Sequence, residues 1–148
     1  MITGCYHTSF TVSNLERSVA FYRDVLGLKL RGVQGGSHDY LRTIVGYPEA
    51  NLKMAFLEIP GSGHVLELIE YVAPRGLPAS VATCNPGSAH VCFRTDDLLR
   101  TYEEWRAKGV KFRSEPVRIT AGVNEGGYAV YFSDPDGITL ELFQPRPS

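Results

Sequence analysis

Cysteine is scarce in this chain: Cys5, Cys84 and Cys92 are the only three, and no two form a Cys-x-x-Cys pair. An odd count without close pairing excludes a disulfide framework and a cysteine-based zinc knot, and points to reduced thiols in a cytoplasm-like compartment. Excess charge of one sign is also missing. Fifteen basic and 16 acidic residues leave a net charge of -1, which offers no electrostatic footprint for nucleic acid or an anionic membrane surface. Long apolar runs are absent too. The longest uncharged stretch, Gly76 to Phe93, carries Pro78, Asn85, Pro86 and Gly87, so it reads as a connector and not as a membrane span. Met1 to Phe10 has neither a basic start nor an apolar core, so no signal peptide is expected.

What is present is ordinary globular material: 148 residues, 43% of them apolar. A chain of this length buries roughly 68–70% of its unfolded surface and needs no covalent staples. It suits one compact domain, or two small halves sharing a core.

The pattern of elements runs strand, helix, then several strands, twice over. Ile2 to Val12 alternates β-branched and aromatic residues as a first strand. Ser13 or Asn14 can cap a helix whose apolar stripe is Leu15, Val19, Phe21, Tyr22, Val25 and Leu26, ended by Gly27. Strands are predicted at Leu28–Val33, Met54–Ile59 and Val65–Tyr71, with a longer irregular stretch from Gly35 to Leu52. In the second half a strand over Ala89–Thr95 precedes a helix capped by Asp96-Asp97 and running through Lys108, with Leu98, Leu99, Tyr102 and Trp105 on its apolar side. Val110–Phe112, Tyr128–Phe132 and Thr139–Phe143 are the remaining strand candidates, and Pro135-Asp136-Gly137 is the turn between the last two.

Setting His7 against His90 brings Phe10 onto Phe93, Leu15 onto Leu98 and Tyr22 onto Trp105. With one residue of slip, Gly27 meets Gly109 and Leu30 meets Phe112, while Gly63–Leu68 matches Gly137–Leu142. The chain therefore contains an internal repeat. The expected fold class is α+β, two paired βαβββ modules in a single domain over 1–148: module one 1–75, linker 76–88, module two 89–148. Pairing the halves would bury one face of each sheet and leave the other lining a cleft.

The repeat puts four polar residues at equivalent places. His7 and His90 fall in the first strand of each half, and Glu67 and Glu141 in the last. Leu66 and Leu68 flank Glu67, and Leu140 and Leu142 flank Glu141. A carboxylate there is costly unless paired, hydrogen-bonded or bound to a cation. A lone strand histidine is ordinarily a hydrogen-bonded core residue, and a lone Glu between leucines often faces solvent. The fourfold coincidence shifts the balance to an N/O site for one divalent metal, Zn²⁺, Ni²⁺, Co²⁺, Mn²⁺ or Fe²⁺. His64 and Glu70 have the opposite parity to Glu67 and are expected to be exposed.

On the stretches SNLERSVAFYRDVLGLKL, HVLELIEY, AHVCFRTDDL, YEEWRAKGVKF and YFSDPDGITLELFQ, spanning nearly the whole chain, the sequence resembles the vicinal oxygen chelate superfamily of glyoxalases, bleomycin-resistance proteins and extradiol dioxygenases. The resemblance implies a cleft lined by curved sheets and a metal held at the positions of His7, Glu67, His90 and Glu141, with substrates chelating it through vicinal oxygens. Glyoxalase I is similar at all four positions, which implies a lyase or isomerase in which Glu67 or Glu141 shuttles a proton on a small oxygenated substrate through a metal-stabilised enolate. Glutathione-binding members carry Arg four residues after the first His and Asn four after the first Glu. Thr11 and Tyr71 stand there, which argues against a glutathione adduct. Lys53 stands near where methylmalonyl-CoA epimerases place a second acidic base, which weakens that branch.

Two alternatives remain. An extradiol-type ring-cleaving dioxygenase is suggested by Tyr131, ten residues before Glu141, but Gly122-Val123-Asn124 lacks the histidine of that branch and Glu67 fills a position it leaves open. A ligand-sequestering resistance or binding protein needs no intact metal set. A homodimer is expected, with no nucleic-acid or membrane partner. The Gly-rich stretch Thr120–Gly127 reads as a lid or a simple hairpin loop, and Gly35–Leu52 as a shaper of substrate choice or a disordered connector. Arg94 is expected to pair with a nearby acid, Tyr22 and Trp105 to be helix core, and Cys92 to be buried filler and not a nucleophile.

Overall fold

The computed structural model describes residues 1–147. The chain divides into two compact units, Met1–Pro78 and a second from Ala79 onward. Each opens with a strand and a helix and continues in strands, and the first unit adds a short second helix.

In the first unit the order is β1 (His7–Thr11), α1 (Leu15–Ala20), β2 (Lys29–Gly36), α2 (Asp39–Val45), β3 (Asn51–Glu58) and β4 (Val65–Ala73). The sheet order is β1-β4-β3-β2, with β1 parallel to β4 and the other pairs antiparallel. α1 rests on β3 and β4, so the sheet has one helix-covered face, where Phe10, Leu57, Leu66 and Leu68 are buried. Fully burying each such side chain contributes roughly 1.5–3 kcal/mol.

The cap of α1 is Asn14, whose side chain accepts from the Arg17 amide. The single helix expected through Leu26 is α-helical only to Ala20. A π-helical turn over Phe21–Val25 completes it, with Tyr22 fully buried and Gly27 ending it at φ 81°. The first strand starts at His7, not at Ile2. Gly35–Leu52 is no disordered connector: it contains α2, whose Leu41 packs with Ala50, Leu52 and Met54 in a small core of its own.

The second unit runs β5 (Val91–Arg94), α3 (Leu98–Ala107), β6 (Lys111–Phe112), β7 (Val117–Arg118), β8 (Tyr128–Ser133) and β9 (Thr139–Gln144), with sheet order β5-β9-β8-β6 and β7 paired to β8. Asp97 caps α3 through the Arg100 amide. Trp105 packs edge-on to Phe132 at 5.3 Å, and Phe112 lies 5.7 Å from Phe132. The Asp134 carboxylate accepts from the amides of Asp136 and Ile138 and so fixes the turn before β9. Thr120–Gly127 is closed as a hairpin loop: the Ile119 amide donates to the Gly127 carbonyl, and the Gly126 amide donates to the Ile119 carbonyl. β7 was not legible in the sequence. No helix among the described residues is long and apolar enough to cross a membrane.

One close approach gives a direct stability test. A Cβ at Gly35 would run into the Leu52 backbone carbonyl across the β2–β3 ladder. Gly35→Ala is expected to cost about 1–3 kcal/mol, as overpacking does, read as a lowered thermal midpoint. An unchanged midpoint would show that the strand gives way freely.

Candidate metal centre

Alternation along the strands decides where each polar side chain points. In β4, Leu66, Leu68 and Glu70 share the helix-covered side, and Glu67 lies on the other face with Val65 and Ile69. β1 pairs in parallel register, His7 with Val65 and Ser9 with Glu67, so His7 shares the face of Glu67. Their side chains meet there, His7 Nε2 lying 3.4 Å from Glu67 Oε2. Glu67 is buried at 9% exposure. The second unit repeats the construction. His90 sits one residue before β5, outside the strand predicted to hold it. It keeps the parity of Cys92, which pairs with Glu141. His90 Nε2 lies 3.1 Å from Glu141 Oε2.

All four sequence-predicted ligands therefore occur as two His–carboxylate pairs, one in each unit. Among the described residues no group of three or more His, Cys, Asp or Glu side chains is gathered closely enough to hold a metal ion. The chemistry of each pair still fits one. Imidazole and carboxylate ligands sit about 2.0–2.2 Å from such an ion, so two neighbouring ligand atoms are about 3.0–3.5 Å apart. The separations of 3.4 and 3.1 Å suit that spacing, and they equally let imidazole and carboxylate satisfy one another directly.

The residues around the two pairs differ. Across the second sheet, Tyr131 pairs with Glu141, and its ring lies 5.1 Å from that of His90. Cys92, expected as buried filler, is exposed beside Glu141. Partial desolvation, together with the charge and hydrogen bonding of Glu141, pushes its thiol up to about 12, which favours the neutral thiol. In the first sheet Phe56 takes the place of Tyr131, paired with Glu67. An open cavity of about 320 Å³ lies against this face, lined by Tyr6, Arg31, Gly32, Gln34, Phe56 and Val65.

The two residues expected to be exposed are half-buried and structural. Glu70 accepts from the Leu15 amide at 2.8 Å, holding the start of α1, and Gln144 does the same for Leu98 at 2.7 Å in the second unit. His64 Nε2 meets Thr8 Oγ1 at 2.9 Å. Arg94 is exposed, without the expected acidic partner among the described residues.

The duplicated plan of strand, helix and strands agrees with comparisons to known proteins. The chain matches the Glyoxalase/Bleomycin resistance protein/Dioxygenase superfamily over residues 4–142. It belongs to that superfamily. Within it the chain is 33% identical over 144 residues to a 2-epi-5-epi-valiolone epimerase from Actinomyces sp., covering 93% of this chain and 76% of that protein. It is 31% identical over 144 residues to a lactoylglutathione lyase from Salmonella typhimurium, covering 95% and 91%. A glyoxalase family protein from Bacillus cereus has the same fold, with a TM-score of 0.82 at 17% identity over 99% of this chain and 97% of that one. Superfamily relatives of lyase and epimerase type thus surround this sequence.

Proposed function

We propose that the chain is a divalent-metal-dependent isomerase or lyase that moves a proton at the carbon beside a carbonyl, on a small substrate carrying vicinal oxygens. The observation that carries this reading is the duplicated His–carboxylate pair: two imidazoles and two carboxylates at repeat-equivalent positions, with a buried Glu67 that has no structural duty comparable to that of Glu70. His7, Glu67, His90 and Glu141 are the residues that would hold the ion. When bound, it supplies Lewis-acid polarisation of the carbonyl and offsets the negative charge that develops on its oxygen.

The chain's own groups do the rest. Each carboxylate turns Oε2 toward its imidazole, and the second oxygen of Glu67 or Glu141 takes the proton from carbon and returns it. One superfamily relative is named an epimerase and another a lyase, and a proton taken by such a carboxylate serves either type of reaction, according to the atom to which it is returned. Tyr71 and Thr11, in place of the amide and guanidinium that would meet glutathione, favour a substrate other than a glutathione adduct.

The test is α-proton exchange in D₂O, followed by NMR on a panel of small hydroxyketones that includes 2-epi-5-epi-valiolone. Chelator treatment is expected to abolish exchange, and readdition of Zn²⁺, Ni²⁺ or Mn²⁺ to restore it. Exchange that survives complete metal removal would overturn the proposal.

A further inference from the structure

The duplication has kept an arginine and lost its partner. Arg31 and Arg113 are repeat-equivalent, each following the residue, Leu30 or Phe112, that the two halves align. In the first unit Arg31 is neutralised: its Nε donates to Glu58 Oε2 at 3.2 Å. Glu58 lies two residues after Phe56, the partner of Glu67. Two residues after Tyr131, the partner of Glu141, stands Ser133. The carboxylate that would neutralise Arg113 is therefore a hydroxyl.

Arg113 is nonetheless held in place. Its Nη1 donates to Thr83 Oγ1 at 3.1 Å and its Nη2 to Thr139 Oγ1 at 2.7 Å, while the guanidinium lies 5.6 Å from the centre of the Tyr131 ring. All three partners are neutral, so the group keeps its full charge. Among the described residues it makes no ion pair. Its amide donates to the Tyr131 carbonyl at 2.9 Å, which carries the β6–β8 register one residue further. Arg113, Tyr131 and Glu141 thus form one row across adjacent strands spaced about 4.8 Å apart. Thr139, two residues before Glu141, lies on the same face. A fixed guanidinium with open N–H groups, roughly 10 Å of backbone from a carboxylate, suits a ligand whose oxyanion lies a few bonds from its reacting carbon.

We propose that Arg113 is the specificity-determining residue of this site and that the substrate carries an oxyanion, a carboxylate or a phosphate, which the guanidinium receives. This rests on the proton-transfer reading of the same face.

The experiment follows the arginine Nε–Hε NMR signals of the purified full chain during titration with glycolate, inorganic phosphate and neutral glycolamide. Arg113 is expected to shift saturably with one or both anions and not with glycolamide, and the anion that binds names the substrate class. Arg113→Gln is expected to weaken that binding about 10-fold or more, the loss of a charge-assisted hydrogen bond. Should it fail to fold by Trp105 emission, Arg113→Lys replaces it, keeping the charge and losing the fork, with weakened binding expected again. No saturable shift with either anion, an equal response to glycolamide, or unchanged binding in the variant overturns the assignment. The readout needs no turnover, so its failure leaves the exchange assay standing, and failure of that assay leaves the anion titration interpretable.

Discussion

Glu67→Gln and Glu141→Gln are each expected to slow α-proton exchange by about 10²–10⁴-fold, the usual contribution of a positioned general base. The substitution is nearly isosteric, and a glutamine carbonyl still accepts from the neighbouring imidazole, 3.4 Å away at His7 and 3.1 Å at His90. The fold should therefore survive, and loss of rate can be read as loss of the base. Metal content measured on the same samples separates the two duties of the carboxylates. A variant that retains its metal and loses exchange has lost a proton acceptor, whereas one that loses both has lost a ligand. If one carboxylate serves as base and the other only as ligand, the two variants fall on opposite sides of that line. Unchanged turnover in both would remove the carboxylates from the mechanism altogether.

The four residues of the two His–carboxylate pairs were legible in the sequence because duplication supplies an internal control. One strand glutamate between leucines says little. Two of them, each matched to a histidine in the first strand of its half, point to a polar function kept twice. Alternation then gave the faces correctly, with Glu67 turned away from Leu66 and Leu68.

What escaped the sequence has physical reasons. α2 is only seven residues long and has no counterpart in the second unit, too short for periodicity to show and invisible to the repeat. Parity alone places His64 and Glu70 toward solvent, but the helix-covered face also needs acceptors for the free amides at a helix start. Glu70 and Gln144 answer that need at the same offset in the two units. Arg113 gives no signal in the sequence because its significance lies in a missing neighbour. Only the ladder register, placing Ser133 where Glu58 stands, reveals a cation without its carboxylate.

Phe132→Ala carries the largest expected stability loss, about 3–5 kcal/mol for removing a large buried ring. Phe132 is fully buried at the centre of the second sheet. Its ring meets Trp105 of α3 at 5.3 Å and Phe112 of β6 at 5.7 Å, so the change opens a cavity that neither neighbour can fill without leaving its own contacts. Phe132 also precedes Ser133 and follows Tyr131, whose side chains face the other way, toward the row that contains Arg113 and Glu141. Loss of the ring should therefore loosen the strand that carries that row, and anion binding at Arg113 should weaken together with stability. Trp105 is the only tryptophan in the chain, so its emission during urea unfolding reports this unit specifically. A midpoint unchanged from that of the parent would mean that the aromatic cluster is not what fixes the second sheet, and that the row over it is held by the backbone ladder alone.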